Sequence, residues 1–181
     1  MGDKLSARVH AIAAGVPVVP GGAVQSIEEA RSLAEAIGYP VLLKAVGGGG
    51  GRGMKPVHAA AALGDALQLA AAEAQAAFAD GRMYLERLIG GGRHVEVQIL
   101  GDGADVIHFG TRDCSIQRRF QKLVEEAPAP HLSAALRAAL HAAAVALARH
   151  LRYRGLGTVE FLVDDREHFH FLEMNARIQV A

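Results

Sequence analysis

The chain has no tryptophan and a single cysteine, Cys114. One thiol excludes a disulfide framework, so the fold must rest on packing and hydrogen bonds. Charge of either sign is not in surplus: 19 Lys and Arg balance 19 Asp and Glu, and the pI is near 7.1. A general nucleic-acid binder needs a basic excess for phosphate contacts, so that class is set aside. No apolar run reaches the roughly 18 residues of a membrane span. Met1-Gly2-Asp3-Lys4 also opens without the apolar stretch of a signal peptide. The expected setting is the cytoplasm, with no membrane partner. Aromatics make up only 5%, and much of the 51% hydrophobic content is alanine, which buries little area. Glycine is the residue in quantity. Six of the 21 fall between Gly47 and Gly53, and three more at Gly90 to Gly92.

Across 181 residues the patterning alternates helices and strands, without a low-complexity linker or internal repeat. Lys4 to Ala14 predicts a helix with Leu5, Val9 and Ile12 on one face, ended by Gly15 and Pro17. Ser26 and Glu29 form a capping box for a second helix that stops at Gly38. Val41 to Val46 and Met54 to Val57 predict strands on either side of the glycine run. An alanine-rich helix carries Leu63, Leu67, Ala71, Ala74 and Phe78 on one stripe and stops near Gly81. Met83 to Leu88 is a further strand. Arg93 to Leu100 alternates, with Val95, Val97 and Ile99 facing one way and His94, Glu96 and Gln98 the other. Val106 to Phe109 pairs with it across Gly101-Asp102-Gly103, whereas Arg112 to Pro130 shows no period. Ser133 caps a helix to about Leu151, and Thr158 to Val163 with His168 to Glu173 closes the chain as a hairpin. Neighbouring strands read as antiparallel, which favours α+β over a doubly wound parallel sheet.

Gly48, Gly50 and Gly53 satisfy GxGxxG, but a polyglycine tract does so almost automatically, and Met54-Lys55-Pro56-Val57 reads as strand where a dinucleotide fold needs a helix. The P-loop pattern fails, because Gly53-Met54-Lys55 replaces Gly-Lys-Ser/Thr. A strand, a glycine loop and a returning strand remain. Such a loop can present several backbone N–H groups to an anion and close as a lid over phosphates. Lys44, ending the strand before it, would add a fixed positive charge. The bland alternative is a solvated loop with Lys44 snorkelling; the density of glycine favours phosphate.

A hairpin centred between Arg166 and Glu167 places Glu160 opposite Glu173, with Cβ atoms roughly 5 Å apart. Two facing carboxylates repel unless a cation lies between them, and Mg²⁺ with Asn175 as a third oxygen donor fits. A solvated hairpin face fits the spacing as well. Arg112, Arg118, Arg119 and Lys122, among Asp113, Gln117, Gln121, Glu125 and Glu126, read either as a solvated loop or as a pocket for a small anion such as bicarbonate. Cys114 within it reads as structural. His168 and His170 lack further zinc ligands and read as surface residues. His94 is undecided by pattern.

In order, Met1-Gly2-Asp3-Lys4, Gly47-Gly48-Gly49-Gly50-Gly51-Arg52-Gly53-Met54, Arg93-His94-Val95-Glu96-Val97-Gln98, Arg112-Asp113-Cys114-Ser115, Gln117-Arg118-Arg119, Gln121-Lys122, Glu125-Glu126-Ala127-Pro128 and Glu173-Met174-Asn175-Ala176-Arg177-Ile178-Gln179-Val180 run through the whole chain. Together they resemble the biotin carboxylase family of ATP-grasp enzymes. The resemblance implies an ATP-grasp fold: an entering segment over 1–18, a lid subdomain over 19–88, and the first half of the central antiparallel-sheet subdomain over 89–181. It implies MgATP-dependent activation of bicarbonate to carboxyphosphate and carboxylation of biotin on a carrier protein, with a carboxyltransferase partner and a homo-oligomeric parent such as an acetyl- or propionyl-CoA carboxylase.

The resemblance also assigns roles. Lys4 and Lys44 become phosphate contacts, and Gly48, Gly49, Gly50 and Gly51 the lid. Glu86, Arg87 and Ile89 line the adenine edge, Met54 and Leu162 pack on the base, and His94 and Gln117 approach the ribose. Glu160, Glu173 and Asn175 hold Mg²⁺ or Mn²⁺, with Lys122 and Arg177 as catalytic groups beside bicarbonate. Two departures stand out. Phe120 replaces a frequent histidine, and Ala181 stands where the family carries a glutamate expected to deprotonate bicarbonate. The implied reading is a segment of a longer carboxylase, incomplete for catalysis. The alternatives are a non-catalytic ATP-binding module and another ATP-grasp ligase of the carbamoyl-phosphate-forming type.

Overall fold

The computed structural model describes residues 4–48, 53–118 and 121–179. Gly49, Gly50, Gly51, Arg52, Arg119, Phe120, Val180 and Ala181 lie outside the described residues, as does the side chain of Lys4. In chain order the elements are α1 (Lys4–Ala13), β1 (Gly21–Val24), α2 (Ile27–Ile37), β2 (Val41–Ala45), β3 (Met54–Val57), α3 (Leu63–Phe78), β4 (Met83–Arg87), β5 (Arg93–Asp102), β6 (Val106–Arg118), β7 (Gln121–Glu126), α4 (Ala134–His150), β8 (Arg154–Val163) and β9 (Phe169–Asn175). The chain divides into two compact units, 19–89 and 1–18 with 90–181.

The smaller unit is an antiparallel sheet in the order β1-β4-β2-β3, with α2 and α3 packed on it. Its core is Val41, Leu43, Val57, Leu63, Ala70, Ala74 and Leu85. Ser26 caps α2, its hydroxyl accepting from Glu29 N at 3.2 Å, while Glu29 Oε2 accepts from Gln25 N at 2.8 Å. Gly38 ends the helix at φ +80°, a positive φ open to glycine because it has no Cβ, with its N–H donating to Ala34 O. α3 ends earlier than Gly81, on Ala79 at φ +56°.

The larger unit is a five-stranded antiparallel sheet in the order β7-β6-β5-β8-β9. Val95, Val97, Ile99, Val159, Phe161 and Val163 form one face and pack against Leu136, Leu140 and Leu147 of α4. A buried leucine of this kind stabilises by roughly 1.5–3 kcal/mol. Ser133 caps α4 through Leu136 N at 3.1 Å. With helix on one face only, the strand period of two turns His94, Glu96 and Gln98 of β5 onto the other.

Two expectations are corrected here. The stripe of α1 does not face the core: Val9 and Ile12 are 64% and 57% exposed, and Ala7 and Ala11 are buried instead. Small alanines allow α1 to lie close to its neighbours, which the larger apolar residues would prevent. Arg112 to Pro130 is also not an aperiodic loop. β6 runs on to Arg118 and β7 returns as its hairpin partner. Register shifts between Asp113 and Ile116, and between Ile116 and Gln117, reset the alternation and hide the period.

Candidate functional site

Four strands place four charged residues in one row. Glu96 of β5 is the cross-strand partner of Arg112 of β6 on one side and of Glu160 of β8 on the other, and Glu160 is in turn the partner of Glu173 of β9. The next row holds Gln98, Thr158 and Asn175. The Glu160–Glu173 pairing arises differently from a simple hairpin count. Val163, Leu162 and Phe161 pair with Phe169, His170 and Phe171, centring the turn on Arg166. A register shift between Glu160 and Phe161 then skips Leu172 and restores Glu160 opposite Glu173. The bulge aims the carboxylate.

Glu96 is fully buried, and cations satisfy both its oxygens. Arg112 Nε donates to Oε1 at 2.5 Å and Lys122 Nζ to Oε2 at 2.6 Å. The same ammonium reaches Glu160 Oε1 at 3.2 Å. Burial pulls the Lys122 pKa down, but the bond to Glu96 and the charges of Glu160 and Glu96 outweigh it and leave the value raised. Burial likewise pushes the Glu160 pKa up, yet His94 and Lys122 hold it below the ordinary carboxylate value. Both groups therefore stay charged at neutral pH. Cys114 is also buried here; burial first, then nearby Glu96, push its thiol far above the normal value, so it is not a nucleophile.

Asn175 Nδ2 lies 2.9 Å from Glu160 Oε1 and 3.2 Å from Glu173 Oε1, and Gln179 Nε2 is 3.0 Å from the same Glu160 oxygen. Two carboxylate oxygens thus converge on the point where one amide nitrogen sits. Rotating the Asn175 amide would present Oδ1 there instead, giving an all-oxygen donor set suited to Mg²⁺ or Mn²⁺. These residues fit a hard divalent cation. Arg177 sits at the same end of the sheet, its carbonyl within 3.2 Å of Thr158 Oγ1 and its guanidinium 3.1 Å from Gln179 Oε1.

His94, undecided from pattern, has Nε2 2.6 Å from Glu160 Oε2, and its Nδ1 meets Gln117 Nε2 at 2.8 Å. Leu162, the cross-strand partner of His94, lies against Gly92, where a Cβ would clash with its side chain. His168 is exposed and pairs with Asp164 at 3.1 Å.

In the smaller unit, Lys44 and Glu86 form an ion pair at 2.5 Å with both side chains largely buried. β2 and β4 are neighbours, which brings the two together. Arg87 beside it donates its guanidinium to Ile37 O at 2.6 and 3.1 Å, tying β4 to the end of α2. Met54 and Ile89 are partly exposed, and Gly48 N bonds to Ala45 O at 3.2 Å.

Spacing did not single out Glu96, although its cationic partners fix the whole row. The alternation of β5 places it on the polar face; only the register with Arg112 shows that it is buried and paired.

A family model described as the ATP-binding domain of the carbamoyl-phosphate synthase L chain matches residues 3–181. The chain belongs to this family. It is 54% identical over 183 residues to the chloroplastic biotin carboxylase of Arabidopsis thaliana, covering 99% of this chain and 34% of that protein. It superimposes on a biotin carboxylase–β-γ-ATP complex from Campylobacter jejuni with a TM-score of 0.95 at 52% identity, covering 99% of this chain and 41% of that one. The biotin carboxylase domain of Hydrogenobacter thermophilus 2-oxoglutarate carboxylase, solved with MgADP, ADP and bicarbonate, gives 0.94 at 46% identity, covering 99% and 40%. The expected resemblance and the α+β ATP-grasp fold are both borne out. The chain spans about a third of the curated biotin carboxylase it matches. Among the described residues, no helix is long and apolar enough to cross a membrane.

Proposed function

We propose that this chain is part of a biotin carboxylase in which MgATP activates bicarbonate to carboxyphosphate, whose CO₂ passes to biotin on a carrier protein. The observation that carries the reading is the convergence of Glu160, Glu173 and Asn175 on one point, with Lys122 bridging Glu160 and Glu96 beside them. In this reading the two carboxylates and the amide oxygen hold the divalent cation, which neutralises phosphate oxygens during phosphoryl transfer. Lys122 and Arg177 supply positive charge for bicarbonate and carboxyphosphate. His94 and Gln117 serve the ribose side, Lys4 and Lys44 the phosphates, Glu86, Arg87 and Ile89 the adenine edge, Met54 and Leu162 the faces of the base, and the glycines 48–51 the lid. In the same reading the entering segment is 1–18, the lid subdomain 19–88, and 89–181 part of the central subdomain.

Two structural neighbours support the substrates: one is a β-γ-ATP complex, and the other holds MgADP, ADP and bicarbonate. A carrier protein, a carboxyltransferase, an acetyl- or propionyl-CoA acceptor, a homo-oligomeric parent and a cytoplasmic setting belong to the same proposal. The test is ATP hydrolysis by the full-length parent with bicarbonate and free biotin. Hydrolysis stimulated by both and abolished by Glu173→Gln is expected; no stimulation by biotin overturns it. The description of the family model favours a second reading, a ligase forming carbamoyl phosphate. Carbamoyl phosphate formed from ATP, bicarbonate and ammonia, without biotin dependence, would select it.

A further inference from the structure

The Gln117 side chain makes two contacts through one atom. Its Nε2 lies 2.7 Å from the Cys114 carbonyl oxygen and 2.8 Å from His94 Nδ1. A carbonyl oxygen only accepts, so the side-chain atom facing it must be the amide nitrogen, and turning the amide over would set two oxygens against each other. The second amide hydrogen therefore points at His94 Nδ1. An N–H directed at Nδ1 needs a lone pair there, which leaves the ring proton on Nε2. Nε2 is the atom 2.6 Å from Glu160 Oε2, so the ring proton lies beside that carboxylate, as a close charge contact and not as an aligned hydrogen bond.

The backbone that carries the ring is tied down as well. The His94 backbone N–H donates to Ser115 Oγ at 3.0 Å, and Ser115 N donates to Asp113 Oδ1 at 2.8 Å. The other Asp113 oxygen is held by Arg93 at 2.6 and 2.9 Å. We infer that Gln117 is a positioning residue that fixes His94 in the Nε2–H tautomer, so that the imidazole keeps a proton, and not a lone pair, beside Glu160. The value of that proton beside Glu160 rests on the proposed metal role; the tautomer does not.

The test is a long-range ¹H–¹⁵N imidazole spectrum of the uniformly ¹⁵N-labelled chain at neutral pH, with His94 assigned by the signals lost in His94→Gln. The expected pattern is protonated Nε2 and bare Nδ1. Gln117→Glu puts an acceptor against Nδ1, and Nδ1 should become protonated. A wild-type Nδ1–H tautomer overturns the inference, as does an unchanged pattern in Gln117→Glu. The wild-type spectrum alone decides if the variant does not fold. Adding Mn²⁺ separates the two layers. Broadening of the His94 signals supports Glu160 as a ligand, whereas an intact tautomer without broadening supports the positioning role and removes only the metal reading.

Discussion

Glu96 and Glu160 face each other across β5 and β8 with one ammonium joining them, Lys122 Nζ lying 2.6 Å from the first and 3.2 Å from the second. Two buried carboxylates at adjacent cross-strand positions would repel strongly without it. Arg112 adds the second cation, so the row carries charge while remaining electrostatically closed on one side.

Replacing Lys122 with methionine keeps most of the side-chain volume and removes the charge. Glu96 then loses one of its two cations while fully buried, and breaking a buried pair costs about 3–5 kcal/mol. Urea unfolding should show that loss. Lys55→Met, which removes the more exposed pair with Glu73, should cost less than about 1 kcal/mol.

Divalent cation binding should follow the Glu160–Glu173–Asn175 convergence. Glu173→Gln removes a negative ligand and is expected to weaken Mn²⁺ binding at least tenfold, about 1.4 kcal/mol. Asn175→Asp supplies an oxygen in either rotamer and should retain binding. Electron spin resonance of free Mn²⁺ during titration gives both constants.

Asp113 sets part of the acid limb of stability. Burial raises its pKa, but the bonds from Ser115 and the Arg93 guanidinium more than compensate and leave it lowered. A carboxyl whose folded pKa lies below the unfolded value of about 3.9 stabilises the fold above that value and loses the contribution as pH falls through the folded pKa. Urea midpoints taken from pH 6 downward should fall less steeply in Asp113→Asn than in the wild type, with the variant less stable at pH 6.

Much of this architecture was legible because local rules met no opposition. Ser26, Gly38 and Ser133 bound their helices as caps, and Val95, Val97 and Ile99 alternate as a half-buried strand must. The β6–β7 hairpin was not legible, since bulges break the period on which strand recognition depends. The Glu160–Glu173 pair was reached from the spacing, although the structure produces it through a skipped Leu172 rather than an undisturbed hairpin. Burial of Glu96 had no local sign, because it depends on cations sixteen and twenty-six residues away.

Glycine is where composition said most and position decides the meaning. Gly101 reads as a turn residue in the sequence, but in the structure it is a β5 residue whose added Cβ would run into the Tyr153 carbonyl oxygen. That neighbour is backbone and cannot rotate aside, so Gly101→Ala must push β5 from the segment entering β8. Overpacking of this kind costs about 1–3 kcal/mol. Gly90 has no positive φ, and its added Cβ meets nothing within 4 Å. There alanine mainly narrows the unfolded ensemble, and Gly90→Ala should be neutral or stabilising by up to about 1 kcal/mol. Thermal melts of the two variants should therefore move in opposite directions or, at the least, only Gly101→Ala should fall. A loss at Gly90 equal to that at Gly101 would show that close backbone approach is not what Gly101 is for.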